Sequence, residues 1–314
     1  MKRFVSSLVL LLVVAVAASG DAAPRGKRAT SRAPRITIMT WNGNWFPSGR
    51  AEHRAAPEIE AVTIQVAGQR LRRGLDAADP TGTNDVILCL NEIRGPRVAE
   101  ELCRAVGRTN LAVVVVTGYR RRDRYDQQQD VVATTLPVVS ADWETWRPAK
   151  RETPPRGFAR ARVVFSPAVT GTVYAVHLKS NYGQSDETAA LNRAKRTRAI
   201  RQLVEEEPSV PGRVAPVVIA GDFNADRWQA SFAEETLFAD LEAAGFVNAL
   251  ALMPADLRFT HPGRGKWPNS ALDYVMLRGL APLAPPVSVS AEGVSDHNPV
   301  FVTVDVEPRS PTML

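Results

Sequence analysis

The sequence predicts an α/β (α+β) chain built as a four-layer αββα sandwich, two packed mixed β-sheets with helices outside. Three observations carry this expectation. Short apolar runs rich in Val and Ile recur along the chain, bounded by Gly, Pro, Asn or Asp, as buried strands are. Longer stretches between some of them place apolar residues at helical spacing. Several strands follow one another without a helix, so hairpins and antiparallel pairs are expected and strict parallel alternation is not. The 314 residues are 45% hydrophobic and 23% charged, and no internal repeat or long central linker divides them, so one domain is expected.

The elements follow in order. Strands are predicted at 36–40, 85–90, 112–117, 130–134, 160–165, 172–177, 216–220, 272–277 and 299–304. The stretch 58–75 carries Ile59, Val62, Val66, Leu71 and Leu75 near helical spacing; 97–106, 187–206 and 233–244 are similar. Pro208 and Gly245 are suitable stops.

Ahead of the domain, Lys2 and Arg3 precede an apolar run over 8–18 and then Ser19 and Gly20. This is the layout of a secretory signal peptide at 1–20, so a secreted or periplasmic location is expected. The run is shorter than the roughly 20 residues of a spanning helix, so no membrane span is expected after cleavage, whether after Gly20 or Ala23. Residues 21–34 form a basic flexible lead-in, 35–306 the folded domain and 307–314 a C-terminal tail. The formal charge is +6 (39 − 33), or +4 (37 − 33) without Lys2 and Arg3, compatible with a polyanionic substrate without requiring one. Cys89 falls in a strand and Cys103 on the following helix; buried thiols are common there, and the spacing alone does not fix a bridge.

Polar residues gather at strand ends, where chemistry collects in layered folds: Asn42, Glu92, His177, Asp222 and Asn224 each follow a predicted strand. In Gly221-Asp222-Phe223-Asn224, an extended backbone would aim Asp222 and Asn224 to one side, toward one metal ion or phosphate; an Asx turn is the alternative. In Ser295-Asp296-His297, the carboxylate suits a hard cation and the imidazole suits proton transfer, against the alternative of a surface turn closed by Pro299. Glu92 is a metal-ligand candidate or a helix-end acid. Arg94 is a phosphate clamp or a surface residue. Lys179 and Asn181 behind His177 make a phosphate-binding candidate. Asp273 opens a strand and needs a buried partner, for which a histidine is suitable.

Thr40-Trp41-Asn42-Gly43-Asn44, Leu90-Asn91-Glu92-Ile93-Arg94, His177, Gly221-Asp222-Phe223-Asn224, Leu272-Asp273-Tyr274 and Ser295-Asp296-His297 occur in the order used by the endonuclease/exonuclease/phosphatase superfamily. The chain resembles that superfamily from about Ile36 to Val304, and within it the deoxyribonuclease-I-like secreted nucleases. Asn91 departs from the Gln common there, and no cysteine follows the Asp222 loop. The resemblance implies an endonuclease cleaving DNA with Mg2+, with RNA as a second candidate substrate and Mn2+ and a structural Ca2+ as alternative or further candidate ions. It implies Glu92, Asn42 and Asp296 as metal ligands. His297, oriented by Asp273, would activate water or stabilise the transition state, with Asp222 the rival base. Asn224 would position the phosphate, and His177 would be an acid or phosphate ligand paired with Asp123. Arg94, Lys179 and Asn181 would bind substrate. A phosphatase, a sphingomyelinase-like phospholipid phosphodiesterase and a silent binding module are the alternatives. Nucleic acid is the expected partner, no obligate protein partner is inferred, and a monomer is expected.

Around the motifs, Arg120, Arg121, Arg122 and Arg124 with Tyr119 and Tyr125 form a candidate phosphate-contacting cluster or a solvated hairpin tip, with Gln127, Gln128 and Gln129 in the same loop. Trp143, Trp146 and Trp267 are expected to pack in the core or stack on bases. Arg193, Lys195, Arg196, Arg198 and Arg201 are expected to make a solvated helix face.

Overall fold

The computed structural model describes residues 34–49, 54–121, 124–181, 185–207, 215–265 and 267–306. The predicted signal peptide, nearly all of the basic lead-in, the C-terminal tail and Asp123 lie outside the described residues. No helix among the described residues is long and apolar enough to cross a membrane.

Two six-stranded mixed sheets form the domain. The first runs β13 (Val287–Ser288), β14 (Val300–Asp305), β1 (Arg35–Phe46), β2 (Asp85–Ile93), β6 (Gln129–Thr134), β3 (Ala112–Val116). The second runs β11 (Val247–Asn248), β12 (Asp273–Arg278), β10 (Val217–Asp222), β9 (Val169–His177), β8 (Gly157–Ser166), β7 (Val138–Thr145). A two-stranded ribbon, β4 (Arg120–Arg121) with β5 (Arg124–Tyr125), stands apart. The helices are α1 (Pro57–Ala78), α2 (Pro96–Val106), α3 (Asp186–Glu206) and α4 (Leu237–Ala243).

The apolar pattern explains the layers. Central strands are buried on both faces, and residues alternate between two cores. Ile36, Ile38, Ile87 and Cys89 join Val173, Ala175, Val218 and Val275 between the sheets, while Met39, Trp41, Leu88 and Leu90 face Leu71, Leu75 and Leu102 of the first two helices. Ala199, Ile200 and Leu203 of α3 and Leu241 of α4 close the opposite side. The four-layer expectation is met.

The cysteines are free and belong to these two different cores. Burial pushes both thiols up, Cys103 to about 12. Both are unreactive thiols by this criterion.

Where sequence and structure differ, the causes are local. The 233–244 helix shortens to α4, and Glu234 and Glu235 ahead of it pair with Arg193 and Arg196 of α3. Arg196 is therefore fully buried, a correction to the solvated face expected for the basic residues of that helix. The strand β7, an exposed edge with little apolar alternation, goes unpredicted. Trp146 packs in the core, whereas Trp143 and Trp267 are 40% and 66% exposed. Tyr119 is buried rather than part of a basic surface cluster.

Each sheet holds one parallel central pair, β1 with β2 and β9 with β10. Their C-terminal ends deliver Asn42, Glu92, His177 and Asp222. Antiparallel neighbours start at the same level, so Asp273 pairs with Asp222 across β12 and β10, and His297 precedes β14 beside β1. Gly221 makes the β9–β10 approach possible. Its φ is +151°, and a Cβ there would lie 1.9 Å from the Val176 carbonyl oxygen. Gly221→Ala is expected to lower stability by about 1–3 kcal/mol through forced backbone displacement. A denaturant midpoint equal to that of the parent would contradict this.

Candidate active site

A paired irregularity in β1 and β2 builds the first wall. Their register shifts between Asn42 and Phe46, and Asn44, Trp45 and Glu92 adopt positive φ of 53°, 58° and 58°. Non-glycine residues hold that conformation only when their surroundings enforce it, and such strain concentrates at functional sites. Here the backbone of Trp45 donates to Glu92 Oε2 at 3.0 Å, and Asn42 Oδ1 accepts from the backbone of Asn44 at 2.9 Å. The bulge thereby presents both side chains inward.

Asn42 Nδ2 then bridges two carboxylates, donating to Asp222 Oδ2 at 2.9 Å and Glu92 Oε1 at 3.3 Å. His177 Nε2 lies 3.6 Å from each of the same two carboxylates, beyond a good hydrogen bond. Burial, with the nearby Arg156 cation, holds the His177 imidazole well below its ordinary pKa, so it is neutral near pH 7. Its Nδ1 is buried without a hydrogen-bond partner among the described residues.

Both readings of Asp222–Asn224 apply together. Asn224 adopts φ 51°, its backbone donates to Asp222 Oδ1 at 2.8 Å, and its amide donates to Asp222 Oδ2 at 3.0 Å. The side chains converge through a turn closed by Asp222, rather than through an extended backbone. Burial raises the Asp222 carboxyl to about 7, against the pull of His297.

The Asp273–His297 pair expected from sequence is present: His297 Nδ1 meets Asp273 Oδ2 at 2.7 Å. Burial lowers the imidazole pKa, but Asp273, Asp222 and Asp296 outweigh it and lift it to about 10. Thr260 Oγ1 donates to the same Asp273 oxygen at 2.6 Å, fixing the carboxylate.

Other predicted residues have different neighbours. Asp296 lies beside His261, whose Nε2 is 3.8 Å from Oδ2. Burial opposes ionisation of Asp296, but His261 and His297 lower its carboxyl below the usual range. Arg94 pairs with Glu60 of α1 at 2.7 Å, so its described ionic partner lies on that helix. Asn181 Oδ1 accepts from buried Arg196 at 3.0 Å. Lys179 donates to the Ser180 carbonyl at 2.8 Å; burial and the Arg156, Lys195 and Arg196 cations lower its pKa.

Four residues have places in the site that the sequence reading did not assign. His261 sits edge-on to His297, with ring centroids 5.0 Å apart. Asn91 joins the layers, accepting from the Asp222 backbone at 3.0 Å and donating to Asp130 at 2.8 Å. Fully buried Asp130 also accepts from Tyr119 at 3.1 Å, and burial raises its carboxyl to about 7. Arg156, at φ 69°, turns a cation toward this side, with its Nε buried and unpartnered among the described residues. Asn91 and Asp130 had one readable signal, a polar side chain within an apolar strand.

The donor set suits a hard divalent cation. Glu92 and Asp222 offer buried carboxylate oxygens of the kind such a cation takes, and the neutral Asn42 amide bridges them through its N–H while its carbonyl oxygen accepts from the Asn44 backbone.

A model of the Endonuclease/Exonuclease/phosphatase family matches residues 39–297. No curated protein matches the sequence. Among solved structures, an endonuclease/exonuclease/phosphatase from Beutenbergia cavernae superposes with TM-score 0.59 at 16% identity, covering 87% of this chain and 72% of that one. Sphingomyelinase C from Streptomyces griseocarneus gives 0.54 at 21% identity, covering 86% and 99%. D. rerio TDP2, complexed with single strand DNA product, gives 0.55 at 14%, covering 87% and 99%. At these identities the likeness is one of fold.

Proposed function

This chain belongs to the endonuclease/exonuclease/phosphatase family, and on that premise we propose that it is an exported, Mg2+-dependent phosphodiester hydrolase cleaving nucleic acid, DNA foremost and RNA besides. The observation that carries the chemistry is the convergence of the Asp273–His297 pair, Asp222, Glu92 and Asn42 at the ends of strands from both sheets.

Glu92 and Asn42 are the proposed holders of the cation, joined by Asp222; Asp296 lies instead beside His261. When bound, such a cation polarises the scissile phosphate and stabilises the leaving oxygen. Asp222, with a carboxyl lifted to about 7, is poised to accept the proton of the attacking water. His297 is held as an imidazolium by Asp273 and donates to the oxygen on which charge develops. Neutral His177 donates an N–H to the phosphate, and Asn224 orients it. Lys179 and Arg156 bring positive charge to the same side. The basic ribbon at Arg120 extends this toward a phosphate backbone.

One surface feature favours nucleic acid over a phospholipid headgroup or phosphomonoester. Ser270 pairs with His261, whose ring touches His297. Trp267 is three residues from Ser270 and so within about 11 Å of that pair along the chain. Trp267 is 66% exposed and Arg264 is exposed in the same loop, and stacking of a base at this rim is the proposed role of the indole. Trp267→Ala is expected to raise KM for oligonucleotides by about tenfold, in keeping with the free energy of one base–aromatic stack. The rise should be much smaller for bis(4-nitrophenyl) phosphate; equal rises would remove the stacking role.

The deciding assay is nicking of plasmid DNA with Mg2+ and with chelator, beside sphingomyelin and phosphomonoester hydrolysis. Chelator-sensitive nicking is expected. Hydrolysis of only the lipid or the monoester would overturn the nucleic-acid reading. Export is tested separately by sequencing the mature N-terminus from culture fluid or periplasm.

A further inference from the structure

Three side chains beside the proposed catalytic centre make a second donor set of different chemistry. His261, Asp296 and His297 each offer one ligand atom, all within 4.8 Å of one another. The His261 Nε2 to Asp296 Oδ2 distance is 3.8 Å, close to the roughly 3.3–3.5 Å between ligands of a tetrahedral ion with bonds of about 2.0–2.1 Å. The His261 side chain is 28% exposed and that of Asp296 29%, so both can close that difference and an ion can reach them from solvent.

The surroundings resemble those of a built metal ligand. Asp273 Oδ2 occupies His297 Nδ1, which fixes the ring and leaves Nε2 for a cation that displaces its proton to solvent, the carboxylate–histidine arrangement that supports metal-bound imidazoles. Two loops carrying the ligands are tied together. The Thr260 carbonyl accepts from the Asn298 backbone at 2.6 Å, while Thr260 Oγ1 holds Asp273. The His261 backbone is paired with Ser270 at 2.9 Å in both directions. Only modest side-chain movement is required.

We propose that His261, Asp296 and His297 form a binding site for a borderline divalent cation of the zinc class, separate from the oxygen-lined Glu92 seat. Two imidazoles and one carboxylate favour such an ion, whereas the Glu92 set is all oxygen and favours Mg2+. Occupancy ties up His297 Nε2 and stops turnover, so this is an inhibitory site. That consequence rests on the proposed role of His297; the binding itself does not.

Cobalt(II) serves as the spectroscopic probe, titrated into the full-length protein at saturating Mg2+. One equivalent is expected to give visible absorption bands of imidazole-bound, low-coordinate Co2+, which added Zn2+ abolishes. His261→Ala is expected to lose the bands and weaken Co2+ binding by at least about tenfold, while Glu92→Gln keeps both. No bands in the parent, unchanged binding in His261→Ala, or loss in Glu92→Gln would each overturn the site. His261→Gln and the melting temperatures of all variants guard against misfolding. In hydrolysis assays, half-inhibition by Zn2+, read against each protein's own uninhibited rate, should require at least about tenfold more metal in His261→Ala. Equal sensitivity would overturn the inhibitory role. If no substrate is cleaved at all, the hydrolase reading fails, while the cobalt spectra still decide this site.

Discussion

His297→Asn is expected to lower kcat for phosphodiester hydrolysis by about two to three orders of magnitude, as loss of one transition-state donor does. The structure dictates the choice of replacement. Asp273 is fully buried and relies on His297 Nδ1 and Thr260. Alanine would strand that carboxylate at a cost of about 3–5 kcal/mol. Asparagine places an amide donor near the Nδ1 position and offers nothing at Nε2, so it separates catalysis from folding. A pH series gives an independent readout. The His297 pKa rises from an ordinary 6.5 to about 10 on folding. A raised pKa means the folded state binds the proton more tightly, so the stability this adds is full below pH 6.5. It is lost as pH rises through about 10. The parent should show this fall in denaturation midpoint, and His297→Asn should have it flattened. A variant with near-parent turnover would dismiss His297 from the chemistry. An unchanged pH–stability slope would dismiss its charge pairing with Asp273.

The sequence made the strand ends legible because apolar runs and the polar residues that stop them are local signals. Asn42, Glu92, His177, Asp222 and Asp273 were placed by adjacency to such runs, and the parallel pairs then carry four of them to one level. Asp273–His297 could be anticipated because a buried carboxylate requires a partner. Other features depend on separations that one-dimensional pattern does not encode. Asn91 acts by reaching Asp222 from 131 positions away, across two sheets. His261 acquires meaning only when its loop folds against His297. Arg94 illustrates the reverse case. Its motif resembles a phosphate contact, yet Glu60 on α1 is near enough to claim it. Arg196 likewise sits in a polar helical stretch, but Glu235 lets its guanidinium enter the core. Charge along a helix is readable from sequence; which charge finds a buried partner is a tertiary fact.

Glu92→Gln is expected to abolish cation-dependent turnover and, more tellingly, to uncouple Mg2+ from stability. Glu92 and Asp222 face one another at 8% and 2% exposure with neutral Asn42 between them. Two like charges in so dry a site repel, and a divalent cation relieves both. An ion that binds only the folded state at a hundred times its Kd adds about 2.7 kcal/mol. For a domain of this size, that is a rise in melting temperature of about 5–10 °C. Glutamine keeps the length and one oxygen of Glu92 but removes half of the repulsion and the strongest cation ligand. The metal-free variant should therefore be at least as stable as the metal-free parent, while Mg2+ stabilises the parent alone. The local backbone gives a further reason to expect a clean result. Glu92 accepts from the Trp45 backbone and from Asn42 on its two oxygens. The glutamine amide can satisfy only one of those donors, so any disturbance is confined to the bulge that β1 and β2 share. If Mg2+ raises the melting temperature of Glu92→Gln as much as that of the parent, the cation is held elsewhere and the strained Glu92 backbone needs a different explanation.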